Sequence, residues 1–401
     1  MIIPTFDKTT PPHILTLVAV AATASSATNI FLPSLPGMAE QFGADYGIVQ
    51  MTVSLYLAAT AVLQLGIGPA SDRFGRRPVM LVSFAVFCIA TLAGAYAPTI
   101  EALLACRVLQ AFSASGLVLS RAIVRDIVGT DEAASRIGYV TMGMTLGPMV
   151  APLVGGILDE AYGWRSTFLL TFGFGIVALI LIYVDLGETN RHRSSSLTAQ
   201  FRGYRELVRS HRFWGYVATA GFASGTFFAF LGGGPYVAAE ILGLSPFTYG
   251  LYFGVVSLGY MLGNFISGRY SRAIGINRMM LSGNAIAALG MGLSIVLFLA
   301  GYDHPLSFFG PTFFVGMGNG IALPSATAGM VSVRPHLAGS ASGLGGALQI
   351  GVGAALATLA GGLLSQETGA YPLMVLMLAS SSLGIAATLY VIRVARTKGE
   401  L

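Results

Sequence analysis

Three side chains inside apolar runs could do chemistry. Asn29 lies in the stretch TNIFLP, with Ser25, Ser26 and Thr28 beside it. Arg107 and Gln110 stand three residues apart in another run, on one helical face. An intramembrane cation costs roughly 2.5–3.5 kcal/mol on insertion scales, so Arg107 is expected to face a cavity or a partner. Snorkelling to the nearer surface is the alternative. An amide at Asn29 either satisfies packing or occupies a position where a proton or a substrate is handled. Proton handling normally needs a buried acid whose pKa its surroundings tune. All 17 acids lie at or near helix ends or in loops, and none stands clearly at mid-membrane. The five histidines, His13, His192, His211, His304 and His336, are dispersed at helix ends and loops. No His/Glu zinc pair occurs, so an intramembrane enzyme finds no support, and no metal or cofactor is expected.

The elements that hold these residues follow from hydropathy. The chain is 54% hydrophobic and 10% charged, against roughly 25% charged in soluble proteins. Apolar runs near 14–35, 47–69, 78–97, 101–124, 137–158 and 165–186 are each long enough to cross a bilayer. A polar stretch follows at 187–212, then six more runs near 213–238, 248–268, 279–300, 305–331, 338–364 and 371–392. The expected fold is an all-α membrane protein of twelve spans in two six-helix bundles, 1–186 and 213–401, joined by the 187–212 linker. The first run resembles a signal peptide, but its basic region is thin, and it is read as a retained helix. Cys88 and Cys106 fall within apolar runs and are read as packing residues.

Charge placement sets direction. Of the 22 lysines and arginines, all but Arg107, Arg121 and Arg165 fall on the side of the N-terminus. Both termini and the linker are therefore expected in the cytoplasm of a multi-pass inner-membrane protein. The basic balance is thereby explained without nucleic acid. Phe201, Tyr204 and Val208 in the linker form one face of a short amphipathic helix expected on the inner membrane surface.

The halves echo one another. GPASDRFGRRP at 68–78 returns as GRYSRAIGINR at 268–278, an offset of 200. Small residues recur every fourth position at Gly143, Gly147, Ala151 and Gly155, and again from Gly339 to Ala355. That period lets helices approach closely. A two-half repeat suits a transporter that rocks one half against the other.

GPASDRFGRR resembles the motif between the second and third helices of the major facilitator superfamily. RVLQAFSASG at 107–116 resembles its fourth-helix motif, and GMTLGPMVAPLVGG at 143–156 the fifth-helix "antiporter" motif of its drug exporters. NIFLPSLP, SRAIVRDI and AGSASGLGGALQ narrow the resemblance to the Bcr/CflA drug-resistance branch. The resemblance implies a proton-coupled antiporter of small amphipathic drugs, acting as a monomer in the lipid bilayer. It implies a cytoplasmic gate at Gly68, Asp72, Arg73, Gly75 and Arg76, with Asp72 facing the start of the eleventh helix near residue 338. It assigns conformational change to Gly143, Gly147, Pro148, Pro152, Gly155 and Gly156. Relatives in this branch usually carry an aspartate where Asn29 stands, so Asn29 and Arg107 mark the proton-coupling position. Three readings follow: an aspartate replaced by asparagine, coupling through Asp126 or Glu240, or transport without protons.

Substrate contacts are expected from Asn29, Tyr56, Gln64, Gln110, Met142, Phe227, Phe230, Tyr252, Tyr260, Asn319 and Gln349. Such an aromatic set with few polar groups suits flat amphipathic molecules, including cations that stack on the rings. The missing central acid favours neutral substrates such as phenicols. Export of an endogenous metabolite, or ligand sensing on a transporter fold, is the alternative.

Overall fold

Proline and one side-chain hydrogen bond decide where the first span breaks. The computed structural model describes residues 11–128, 130–190, 204–334 and 337–397. Instead of one helix over 14–35, the chain is helical at Ile14–Ser26, turns, and passes through a 3₁₀ turn, Leu32–Ser34, into Leu35–Phe42. Pro33 and Pro36 supply no N–H and crowd the preceding turn. Asn29 Nδ2 donates to the Ser25 carbonyl at 3.0 Å, the acceptor its own backbone N–H would take in an α-helix. That N–H bonds Ser26 O instead. The fourth span is also interrupted, with Ile100–Gln110 and Ala114–Ile127 separated by a 3₁₀ turn, Ala111–Ser113.

The other spans of the first half are Tyr46–Phe74, Arg76–Ala95, Thr130–Tyr162 and Arg165–Asp185. Those of the second half are His211–Tyr236, Pro246–Ile274, Ile276–Leu299, Pro305–Ser332, Ala338–Leu363 and Tyr371–Thr397. Among the described residues, 10 helices are long and apolar enough to cross a membrane. The broken first span and Thr130–Tyr162 complete the twelve runs seen in the sequence.

The repeat at offset 200 is a structural repeat. The second and eighth spans end at Phe74 and Ile274, and the next helices start at Arg76 and Ile276. Between them Gly75 and Gly275 hold φ of +103° and +87°, a region that L side chains avoid.

The halves meet through the second span on the eleventh and the fifth on the eighth. The named contacts gather at the end opposite the chain termini. Tyr46 Oη donates to Gly232 O at 2.8 Å, and its ring lies 4.8 Å from that of Tyr236. The buried Gln50 wedges between Gly232 and Gly361. Glu160 Oε1 accepts from Phe247 N at 3.0 Å, where the eighth span begins. Toward the terminal end, Gly68 and Gly339 face open space. Among the described residues, the hydrogen bonds that join the halves thus lie at the end opposite the termini.

The linker is tied down at both of its described ends. Glu188 Oε1 accepts from Arg76 N at 2.9 Å, and Asn190 Nδ2 donates to the carbonyls of Ser71 and Asp72. Residues 204–208 are helical. Their anchor is Leu207, fully buried with Phe213, Tyr216 and Val217, whereas Val208 is exposed. Glu206 pairs with Arg334 at 2.8 Å. Phe201 lies outside the described residues.

Candidate functional site

Arg107 sits at the centre of the first half and is 1% exposed. Its expected partner is not an acid. Nε donates to Thr52 O at 2.9 Å, and Nη1 donates to Ala27 O at 3.3 Å and to Gln110 Oε1. The guanidinium lies between the rings of Phe31 and Tyr56, 4.3 Å from each centroid. Such stacking recovers about 2 kcal/mol when desolvated. The broken first span makes this possible, because unwinding past Ser26 turns the Ala27 carbonyl and the Phe31 ring toward the fourth span. Tyr56 is fixed in turn by Ser113 Oγ at 2.8 Å and Ala24 O at 3.3 Å.

Thr52 Oγ1 is buried without a partner, and two further polar atoms here share that state. Arg107 Nη2 and Asn29 Oδ1 are both buried and make no hydrogen bond. Asn29 itself is 4% exposed. An unmet buried donor or acceptor costs about 1–3 kcal/mol, so Nη2 is open to donate to a ligand group and Oδ1 to accept from one. Among the described residues the one buried acid is Asp185, at the terminal end of the sixth span. Asp126 and Glu240, the other acids considered for coupling, are exposed.

The remaining expected contacts fall into separate groups. Phe230 is fully buried against Phe253, Phe308 and Phe309. Phe227 is half-buried beside Phe253, and Tyr252 stacks on Phe309 at 4.9 Å. Tyr260 is half-buried, with its carbonyl bonded to Asn264 Nδ2. Asn319 is buried in the tenth span with Nδ2 unpartnered. Gln64 Oε1 lies beside Gly346 of the eleventh span, and Gln349 is half-buried. The side chain of Met142 and the surroundings of Gly143 lie outside the described residues.

At the expected gate, Asp72 is 41% exposed and pairs with Arg76 at 2.6 Å. Arg76 also bonds Asp126 Oδ2 at 3.0 Å, and Arg73 lies over the Phe74 ring. Asp72 therefore holds its own turn, and its ion pair is with Arg76 and not with the start of the eleventh span. Fifth-span residues do meet their partners. Gly147 packs on Ser25 and Ser26, Gly155 on the Ile30 carbonyl, and Gly156 on Pro246 and Phe247 across the halves. Pro148 and Pro152 lie inside the helix, and Pro152 O faces Gly250.

Sequence reasoning missed Phe31, Tyr46, Gln50, Glu188 and Asn190. Phe31 and Gln50 carried weak signals, an aromatic next to Asn29 and an amide inside an apolar run. Tyr46→Phe is expected to loosen the closed end. One buried hydrogen bond contributes about 1 kcal/mol, or about a fivefold change in population. Faster thiol labelling of a Val53→Cys probe by an impermeant maleimide checks it.

The comparisons agree on one architecture. Residues 17–358 match the model of the Major Facilitator Superfamily. The chain is 32% identical to an uncharacterized MFS-type transporter, YdgK, of Bacillus subtilis, over 90% of each chain. It is 30% identical to a chloramphenicol resistance protein of Pseudomonas aeruginosa, over 94% of this chain and 89% of the relative. It is 29% identical to multidrug resistance protein D of Escherichia coli, over 84% and 85%. A crystal structure of the peptide transporter POT with sulfate superposes with a TM-score of 0.77 at 16% identity, covering 96% and 95%.

Proposed function

The chain belongs to the Major Facilitator Superfamily, and from that premise we propose that it exports small amphipathic drugs across a bacterial inner membrane by alternating access. The resistance proteins among its relatives support the cargo class. The observation that carries the mechanism is that the hydrogen bonds joining the halves gather at one end of the molecule, which suits a carrier that opens at the other. The distribution of arginines supports placing the open end in the cytoplasm. The two bundles, 1–186 and 213–401, then rock as units on the 187–212 linker, with one chain as the working carrier.

Asn29, Arg107 and Gln110 form the polar centre of the proposed path. Tyr56, Gln64, Phe227, Tyr252, Tyr260, Asn319 and Gln349 supply its walls. Arg107 without a buried acid beside it favours neutral drugs of the phenicol type over cations. The open position at Asn29 Oδ1 fits a site where a neighbouring cation would tune the proton affinity of an acid.

Efflux in inside-out vesicles with an imposed pH gradient tests this reading. This chain is compared with Asn29→Asp, using a phenicol and a cationic dye. We expect the chain as it stands to move the phenicol down its gradient, and Asn29→Asp to accumulate it against the gradient. Equal accumulation by both removes proton coupling from the first span. No movement by either overturns the exporter reading.

A further inference from the structure

The third and sixth spans leave between them a groove of about 500 Å³ that the transport path does not use. Its walls are Leu81, Val82, Ala85, Leu179, Ile180 and Tyr183. Val82 is 62% exposed and Ile180 54%, so the groove opens outward to the bilayer. Arg77 stands at its head. Leu81 and Ala85 follow Arg77 on one helical face at successive turns. Arg77 Nη2 donates to Tyr183 O at 3.1 Å, and the guanidinium lies 5.6 Å from the Tyr183 ring centroid.

Among the described residues Arg77 has no ion-pair partner. Neighbouring Arg76 is held by Asp72 and Asp126. No carboxylate among the described residues pairs with Arg77, and its Nε is buried and donates to nothing. Glu188, the acid of the same turn, is taken by the backbone N–H groups of Arg76 and Asn190. A cation with spare donors therefore caps an apolar trough at the basic end of the molecule.

The geometry points to a binding site for an anionic phospholipid, with its phosphate on Arg77 and one acyl chain between the third and sixth spans. Guanidinium donors bind phosphate by short charge-assisted hydrogen bonds. The acyl chain covers apolar surface in a groove of suitable volume, and anionic lipid is drawn to basic juxtamembrane groups. Neither half suffices alone, since free phosphate would not need the groove and an uncharged apolar chain would not need Arg77.

Native mass spectrometry of the purified full chain tests the site, with phosphatidylglycerol and phosphatidylcholine of identical acyl chains as probes. The expected preference for phosphatidylglycerol is about tenfold, because the choline cation offsets the phosphate charge that both lipids present to Arg77. Arg77→Gln should erase it and Arg77→Lys keep most of it. Val82→Trp and Ala85→Trp should each displace the acyl chain and weaken both lipids. Arg272→Gln, in the equivalent turn of the second half, should change neither. Melting temperature and monodispersity report folding, and the exposed Val82 site serves if Ala85→Trp does not fold. Unchanged preference in Arg77→Gln, or undiminished binding in a folded tryptophan variant, overturns the site. Phosphate binding that ignores both tryptophans leaves only a bare anion contact and also overturns it.

Discussion

Replacing Arg107 by methionine and Gln110 by leucine together is expected to stop efflux while leaving the protein folded. Arg107 is a buried cation with no acid beside it, and such a charge is costly to hold in place. Its gains are three hydrogen bonds and two ring contacts. Removing Arg107 alone would orphan Gln110 Oε1, at about 1–3 kcal/mol. Removing both partners avoids that penalty and also removes the desolvation cost. Thermal stability should therefore stay the same or rise. Transport should fall by about a hundredfold or more, equivalent to about 2.7 kcal/mol of lost stabilisation. The pair of assays separates roles: a melting temperature that collapses together with transport would mark Arg107 as structural support.

Gly250→Ala is expected to spring the closed end. A Cβ at Gly250 would lie 2.6 Å from Pro152 O and 2.8 Å from the Leu153 Cα, both backbone atoms of the other half. Backbone cannot swing aside as a flexible side chain can, so overpacking costs about 1–3 kcal/mol. That moves the population by about five- to 150-fold toward the state in which the fifth and eighth spans part. Gly156→Ala should act the same way from the other side, since its Cβ would come within 2.8 Å of the Phe247 Cα. Gly254→Ala is the control, one turn along the same helix with open space around it. Spin labels at Glu40→Cys and Asp303→Cys, in a background lacking Cys88 and Cys106, read the distance between the halves. Longer distances for Gly250→Ala and Gly156→Ala with none for Gly254→Ala are expected. No change in the first two would remove this interface from the gate.

Much of this architecture was legible in the sequence because a bilayer simplifies the problem. Each run needs about 20 apolar residues, and the positions of Gly75 and Gly275 were marked by the repeated motif. The break after Ser26 was signalled by Pro33 and Pro36 yet was not read, because a hydropathy run carries on through it. The inward anchor of the linker helix was not read, for a related reason. Leu207 and Val208 are neighbours of similar character, and only the surface formed by Phe213 and Tyr216 decides between them. Arg107 and Gln110 were found from type and spacing. Their ring partners, Phe31 and Tyr56, come from two other spans, and no periodicity within one helix encodes a contact between three.

The solitary cation also has an electrical consequence. A carrier whose interior holds a matched acid and base moves little net charge when it reorients. Here Arg107 has no buried counter-charge near it among the described residues. A unit charge carried through the full field gains or loses about 2.3 kcal/mol per 100 mV. Whatever fraction of that field Arg107 crosses, the empty carrier pays or collects it on each return stroke. Turnover should then depend on voltage even when the cargo is neutral.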